Sequence, residues 1–474
     1  MRITLVLSLI LGLVVGTAAS QGTKQSPIGN ISSLVLVVVA LLTSLFPEEF
    51  GYSNDEENND SRPSTFPIKR ERRRVSDIFR ELGPCYVRRA YRMNEDSFFK
   101  LHKILRRHLQ GPPSETKKHR NGSPNGIVTT TVRLSIAIRY FAGGRPKDIS
   151  LVHGVSHSEV FNSVWKVVDA VLACEQLAFS FPSDHKTQKE IAAGFKARSQ
   201  PQFDNCCGAI DGMLLWIEKP SKAECEKAGC GSKKFFCGRK HKFGLNMQAT
   251  CDSECRFLDV CIQHPASTSD FLAFTTSSLY HKLEEKDFIA PGLCIFGDAA
   301  YTNGRYMATP FKGVSSGSKD DYNFFHSQLR IRIECAFGLL VGRWGILRRA
   351  LPSQLGIMKV TSLCVCLCRL HNYCVNERLA ISDFLPSDSF DIITNGGFPL
   401  TDNSDTPPCP EELLDAGNHF EDTTEAFRRQ FSRRGLNKDE MLPRDKLHKT
   451  VVDGHFCRPT PEKWKGKSNN NTGK

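Results

Sequence analysis

One carboxylate interrupts an otherwise apolar strand, Cys207-Gly208-Ala209-Ile210-Asp211-Gly212-Met213-Leu214-Leu215-Trp216-Ile217. A charge in the middle of such a run is expensive unless a cation or hydrogen bonds satisfy it. The segments around Asp211 limit what it can be part of. Residues 245–251 and 256–262 read as two more strands, turned by Asp252-Ser253-Glu254 into a hairpin. Residues 271–283 read as a helix, with Ser267-Thr268-Ser269-Asp270 as opening cap residues. Leu293-Cys294-Ile295-Phe296 is a short buried strand ending at Gly297-Asp298, and a Gly/Ser-rich loop over 313–318 follows. A long helix from about Asn323 then places Leu329, Ile333, Ala336, Phe337, Leu340, Trp344 and Leu347 on one stripe. Strand, strand, strand, helix, strand, helix predicts an α/β domain over 201–380.

The region 76–200 has the other period. Phe98, Leu101, Ile104, Leu105 and Leu109 recur at helical spacing, and a second helix from Val132 stops at Gly143-Gly144. Residues 147–152 make a short helix, His153-Gly154-Val155 a tight turn, and Ser156 an N-cap for a longer helix. That longer helix carries Val160, Val164, Val167, Val168 and Val171 on one face, in the shape of a helix-turn-helix. Its exposed positions are His157, Ser158, Glu159, Asn162 and Lys166. An all-α packing module explains the same pattern.

At 474 residues the chain predicts two or three domains. Residues 1–50 form an apolar leader with the look of a secretory signal, Arg2 before an apolar run and then Gly16-Thr17-Ala18-Ala19-Ser20. Residues 51–75 read as a mixed-charge linker ending in Lys69-Arg70-Glu71-Arg72-Arg73-Arg74, a nuclear-import signal, a phosphate-binding arm or a solvated cluster. Residues 381–474 are rich in Pro, Asp and Asn and predict a mostly disordered tail. The net charge of +12 favours a polyanionic partner, nucleic acid or an anionic membrane face. The 18 cysteines lie in apolar contexts without the regular framework of a small secreted domain, and Cys225, Cys230, Cys237 and His241 lack a familiar zinc spacing.

Three acids occupy special points of the α/β order. Asp211 is mid-strand, Asp298 ends a buried strand where open sheets place ligand chemistry, and Glu334 flanks the stripe of the last helix. Converging carboxylates repel unless cations neutralise them, and hard oxygen donors select Mg2+ or Mn2+. Two such ions about 3.5–4 Å apart activate a nucleophilic oxygen and stabilise the leaving one in phosphoryl displacement. Taken singly, Asp298 also fits a turn cap and Glu334 an i, i+4 partner of Arg330.

In that order the blocks Gly208-Ala209-Ile210-Asp211-Gly212, Gly238-Arg239-Lys240 and Gly297-Asp298-Ala299-Ala300-Tyr301 resemble the Harbinger (P-instability factor) transposases of the DDE superfamily. So do Thr309-Pro310, Asn323-Phe324-Phe325-His326-Ser327, Arg332-Ile333-Glu334-Cys335-Ala336-Phe337-Gly338 and Leu370-His371-Asn372. The resemblance covers about 205–375. It implies an RNase H-like core, preceded by a helix-turn-helix-like module, and a transposase-derived endonuclease. Asp211, Asp298 and Glu334 would be its catalytic, metal-holding triad, with Mg2+ or Mn2+ as cofactor and no small-molecule cofactor. Arg239, Lys240, Lys242 and Arg330 are candidate DNA contacts, and Asp270 is a candidate accessory acid, though an N-cap role explains it equally. DNA, a Myb-like partner protein and a second copy of the chain are the implied partners, and the nucleus the implied location, against the secretory pathway suggested by the leader.

Some positions depart from the family pattern. Met213-Leu214 stands for Thr-His, Ala299-Ala300 for Ser-Gly, and Leu339, Leu340 and Val341 for a more basic stretch. No metal ligand is lost, but phosphate contacts after the glutamate are weakened. A domesticated, catalytically silent DNA- or partner-binding protein is the alternative.

Overall fold

The computed structural model describes residues 70–110, 126–352, 355–379 and 440–459, with 428 and 432 singly. The leader, nearly all of the linker and most of the tail lie outside the described residues.

The amino-terminal helices form because their apolar spacing and caps agree. α1 (Val75–Tyr91) is broken at Gly83, whose φ is 74°, just before Pro84. α2 (Glu95–Leu109) is opened by Asn94, whose side chain accepts from the Ser97 amide at 2.8 Å, and it buries Phe98, Leu101, Leu105 and Leu109. α3 (Thr130–Phe141) is capped by Thr129. α4 (Pro146–His153) ends on Gly154 at φ 61°, and α5 (His157–Ala173) starts from Ser156, whose hydroxyl accepts from the Glu159 amide at 3.2 Å. The expected short helix, glycine turn and longer helix are thus formed, with Val160, Val164, Val167, Val168 and Val171 buried. Glu159, expected to be exposed, is half-buried and pairs with Arg133 at 2.8 Å. A Cβ on Gly154 would stand 1.8 Å from the Glu71 carbonyl oxygen, so the end of the basic run passes directly over this turn. Within that run Arg73 pairs with Glu81.

After α6 (His185–Lys196) comes the sheet. β1 (Cys206–Trp216) pairs antiparallel with β3 (Lys242–Cys251), which pairs antiparallel with β4 (Phe257–Pro265) and, at its start, with β2 (Phe236–Cys237). On the other side β5 (Cys294–Phe296) runs parallel to β1, and β6 (Met307–Ala308) parallel to β5. Three antiparallel strands followed by parallel ones make a mixed sheet flanked by helices, an RNase H-like core.

Several details differ from the sequence expectation. A short helix, α7 (Lys222–Lys227), lies between β1 and β2. The helix expected over 271–283 is two pieces, α8 (Asp270–Thr275) and α9 (Ser278–Leu283), because the Ser277 hydroxyl accepts from the Tyr280 amide and starts a new helix. The long helix α10 (Ser318–Arg343) starts before Asn323, whose amide brackets the Phe311 backbone at 2.8 and 2.9 Å.

α11 (Ile357–Asn376) ties the helical region to the sheet. Its Arg369 donates to the Val171 and Leu172 carbonyls at 3.0 and 2.8 Å, and its Tyr373 hydroxyl to the Ser97 carbonyl at 2.7 Å. On another side His371 reaches the Cys255 carbonyl at 2.9 Å, and Asn372 exchanges two hydrogen bonds of 2.8 Å with the Phe257 backbone. One apolar core therefore runs from the helices into the sheet, and all described residues lie in one compact unit. A smaller core around Ile210, Phe274 and Tyr301 covers the opposite sheet face. Within the tail expected to be disordered, α12 (Pro443–Asp453) packs on α10 and β6 and buries Leu447 and Val451.

Candidate active site

The register of β1 on β3 sets Asp211 opposite Ala249 and Gly212 opposite Gln248. Strand alternation puts Asp211 on the α10 face and the Gly212 position on the other. From α10, Arg330 donates from Nη1 to Asp211 Oδ2 at 3.3 Å and from Nη2 to Glu334 Oε1 at 2.6 Å. One guanidinium therefore joins two carboxylates that lie far apart in sequence. Asp298, at the end of β5, accepts from the Ala300 amide at 2.8 Å. Burial, followed by repulsion from Asp298, pushes the Asp211 carboxyl up to about 7, although the Gly212 amide and Arg330 favour its charged form. Asp298 is thus linked to Asp211 directly, and Glu334 to Asp211 through Arg330.

That neighbourhood has the hard-oxygen chemistry of a Mg2+ or Mn2+ site and carries negative charge in need of a cation. As placed, the cation between Asp211 and Glu334 is Arg330. Among the described residues no group of three or more His, Cys, Asp or Glu side chains is gathered tightly enough to chelate an ion. The donor set fits a divalent ion, and Glu334 would have to release Arg330 to join it.

Residues 210–372 match the family model described as DDE superfamily endonuclease. Over this stretch the chain is similar to DDE superfamily endonucleases. The match begins in β1 and ends in α11, so it contains the whole sheet beyond Ile210 and all three acids. A curated relative, Protein ALP1-like of Arabidopsis thaliana, is 26% identical over 272 residues, covering 54% of this chain. The chain spans 62% of that relative's length. No solved structure matches the chain.

The remaining candidate residues of this stretch are distributed differently. Asp270 is the first residue of α8, and Ser269 before it is the cap. On the Gly212 face of the sheet, Asp270 Oδ1 accepts from Asn246 Nδ2 at 3.1 Å and Gln248 Nε2 at 2.8 Å. A Cβ at position 212 would lie 2.1 Å from that oxygen, so glycine is what lets Asp270 sit there. The buried Tyr301 hydroxyl donates to Gln248 Oε1 at 2.5 Å. Burial, then the nearby Asp270, Asp211 and Asp298, drive the Tyr301 phenol well above its ordinary value, so it stays a neutral donor. Sequence reading missed this role of Gln248. Its one available signal was a polar residue on the inward period of an apolar strand.

Arg239 and Lys240 are exposed at the mouth of a cavity of about 570 Å³ that also contains Asp270. Lys242 instead lies over the Trp216 ring, 3.8 Å from its centroid. Arg330, expected to contact phosphate, is spent on Asp211 and Glu334. His326 is stacked on Phe296 with ring centroids 4.7 Å apart, and burial holds it neutral, down to about 3. Burial does the same to His371. Both histidines serve packing.

Proposed function

We propose that the protein is a transposase-derived DNA endonuclease of Harbinger type whose Asp211, Asp298 and Glu334 form the catalytic triad. The observation that carries it is that Asp211 in β1 feels the charge of Asp298 beside it and is bridged by Arg330 to Glu334 on α10. A bound pair of Mg2+ or Mn2+ ions would supply Lewis acidity and a nucleophilic oxygen. Asp211, in the middle of β1, and Asp298, just past the end of the neighbouring parallel strand β5, hold negative charge, and Glu334 closes the third side from α10. Arg330 orients Asp211 and Glu334 toward each other before substrate arrives. Exposed Arg239 and Lys240 take phosphates of the bound strand, in keeping with a salt-dependent interaction.

A catalytically silent, domesticated binding protein is favoured by one specific observation, the occupation of the space between Asp211 and Glu334 by Arg330. Asp298→Asn separates the two. It should leave folding and salt-sensitive DNA binding intact and abolish Mg2+-dependent nicking. Equal nicking by both forms, or none by wild type with any metal or partner tried, would refute the enzyme reading.

Action on DNA in the nucleus belongs to the same proposal, alone or with a Myb-like partner or a second copy of the chain. A tagged full-length protein tests it. Cleavage after Ala19 and glycosylation of Asn121 would place the chain in the secretory pathway instead.

A further inference from the structure

Across β1 from Asp211 lies the cavity of about 570 Å³, within the range of small-ligand sites. Its walls are of three kinds, and Lys233, Lys234 and Arg428 add further positive charge to them. Met213, Leu214 and Phe236 give it apolar sides. Arg239 and Lys240 stand exposed at its rim, on the loop that joins β2 to β3. Asp270 lies within it, next to the polar run Ser267-Thr268-Ser269. Only one oxygen of Asp270 is committed, Oδ1 to Asn246 and Gln248. The other, Oδ2, has no hydrogen-bond partner among the described residues. Ala300, two residues beyond Asp298, also lines the cavity, which therefore opens beside the acids proposed to cut.

Apolar walls, an acceptor inside and cations at the rim match one ligand chemistry, a nucleotide entered base first. The apolar sides take the faces of the base, the carboxylate takes N–H donors on its edge, and the rim takes backbone phosphate. A paired base cannot reach such a pocket, so the base must be out of its stack. We infer that this cavity receives one unpaired base of the bound DNA strand, guanine above thymine, through the free oxygen of Asp270. Guanine presents two neighbouring N–H groups on its Watson–Crick edge, and thymine only one. The inference rests on DNA being the substrate, as proposed above.

The test is binding by the full chain in EDTA, where no cutting occurs, read by fluorescence anisotropy. The probes are a perfect duplex, the same duplex with one unpaired guanine, and the same with one unpaired thymine. Wild type should bind the unpaired guanine about tenfold more tightly than the other two. Ser267→Trp, from an exposed position, should fill the cavity and erase that preference while leaving perfect-duplex affinity unchanged. Asp270→Asn should erase it as well. Equal affinity for all three probes, or a preference that survives Ser267→Trp, overturns the pocket and leaves the nuclease proposal standing. Failure to bind any DNA overturns both. Free dGMP binding as tightly as the unpaired-guanine duplex would make this a site for free nucleotides and overturn its assignment to DNA.

Discussion

Asp211→Asn should change how the stability of the whole protein depends on pH. Burial first, and Asp298 second, lift the Asp211 carboxyl from its ordinary 3.8 to about 7. Its side chain is only 17% exposed, so solvent does little to screen the effect. A carboxyl that binds its proton more tightly in the native chain than in the unfolded one lends stability at low pH. That stability is lost as pH rises from about 4 through about 7. Between pH 5 and pH 8 the loss is about 3 kcal/mol. Asparagine has no such titration. Urea unfolding in EDTA at pH 5, 6, 7 and 8 should therefore show the variant gaining on wild type by about 3 kcal/mol across the range. The gain should flatten above pH 8. Saturating Mg2+ or Mn2+ should restore wild type at pH 8 and do little for the variant, because an ion that binds only the native state stabilises it. A difference between the two proteins that stays constant from pH 5 to pH 8 would refute the placement of Asp211 beside Asp298 in a poorly solvated site.

Three other perturbations address neighbouring features. Arg330→Met removes the fork on Asp211 and Glu334, and should cost about 1–3 kcal/mol at pH 8 but little at pH 5, where Asp211 is protonated; an equal cost at both values would contradict this. Gly212→Ala drives a methyl group onto Asp270 and should lower stability by about 1–3 kcal/mol, seen as a lowered Tm; an unchanged Tm would argue against the close approach. Leu447→Ala should cost about 2–4 kcal/mol and speed amide exchange in the first turns of α10, and unchanged exchange there would mean that α12 does not hold α10.

Strands β1, β3 and β4 were legible because each is long enough to be marked by its apolar pattern and bounding turns, and β5 as a short apolar run before Gly297-Asp298. β6 has two residues and no period to read. The joint in α8–α9 was hidden because serine at 277 suits both a helix interior and a cap, and tertiary packing decides between them. Asp211, Asp298 and Glu334 stood out as acids against apolar backgrounds. Arg330 shows where such reading stops. Sequence spacing exposes its partner Glu334, one turn away on α10, but not Asp211, which is 119 residues distant and adjacent only once the sheet and helix have packed. Helix α12 escaped for another reason. Two buried residues at i, i+4, Leu447 and Val451, are too few to register against a polar background.

The position of α12 also fixes an order of events during synthesis. Its His448 reaches Ser318 at 3.0 Å, Arg444 lies 4.2 Å from the Phe311 ring centroid, and Arg458 beyond it donates to the carboxylates of Asp320 and Asp321. The beginning of the helix that carries Glu334 therefore waits for a clamp translated roughly a hundred residues later. At about 5–20 residues per second the ribosome needs roughly 5–20 s to supply it. Throughout that interval the nascent chain holds the sheet and its flanking helices with one side of α10 bare. Glu334 gains a fully buttressed helix only once α12 has been made.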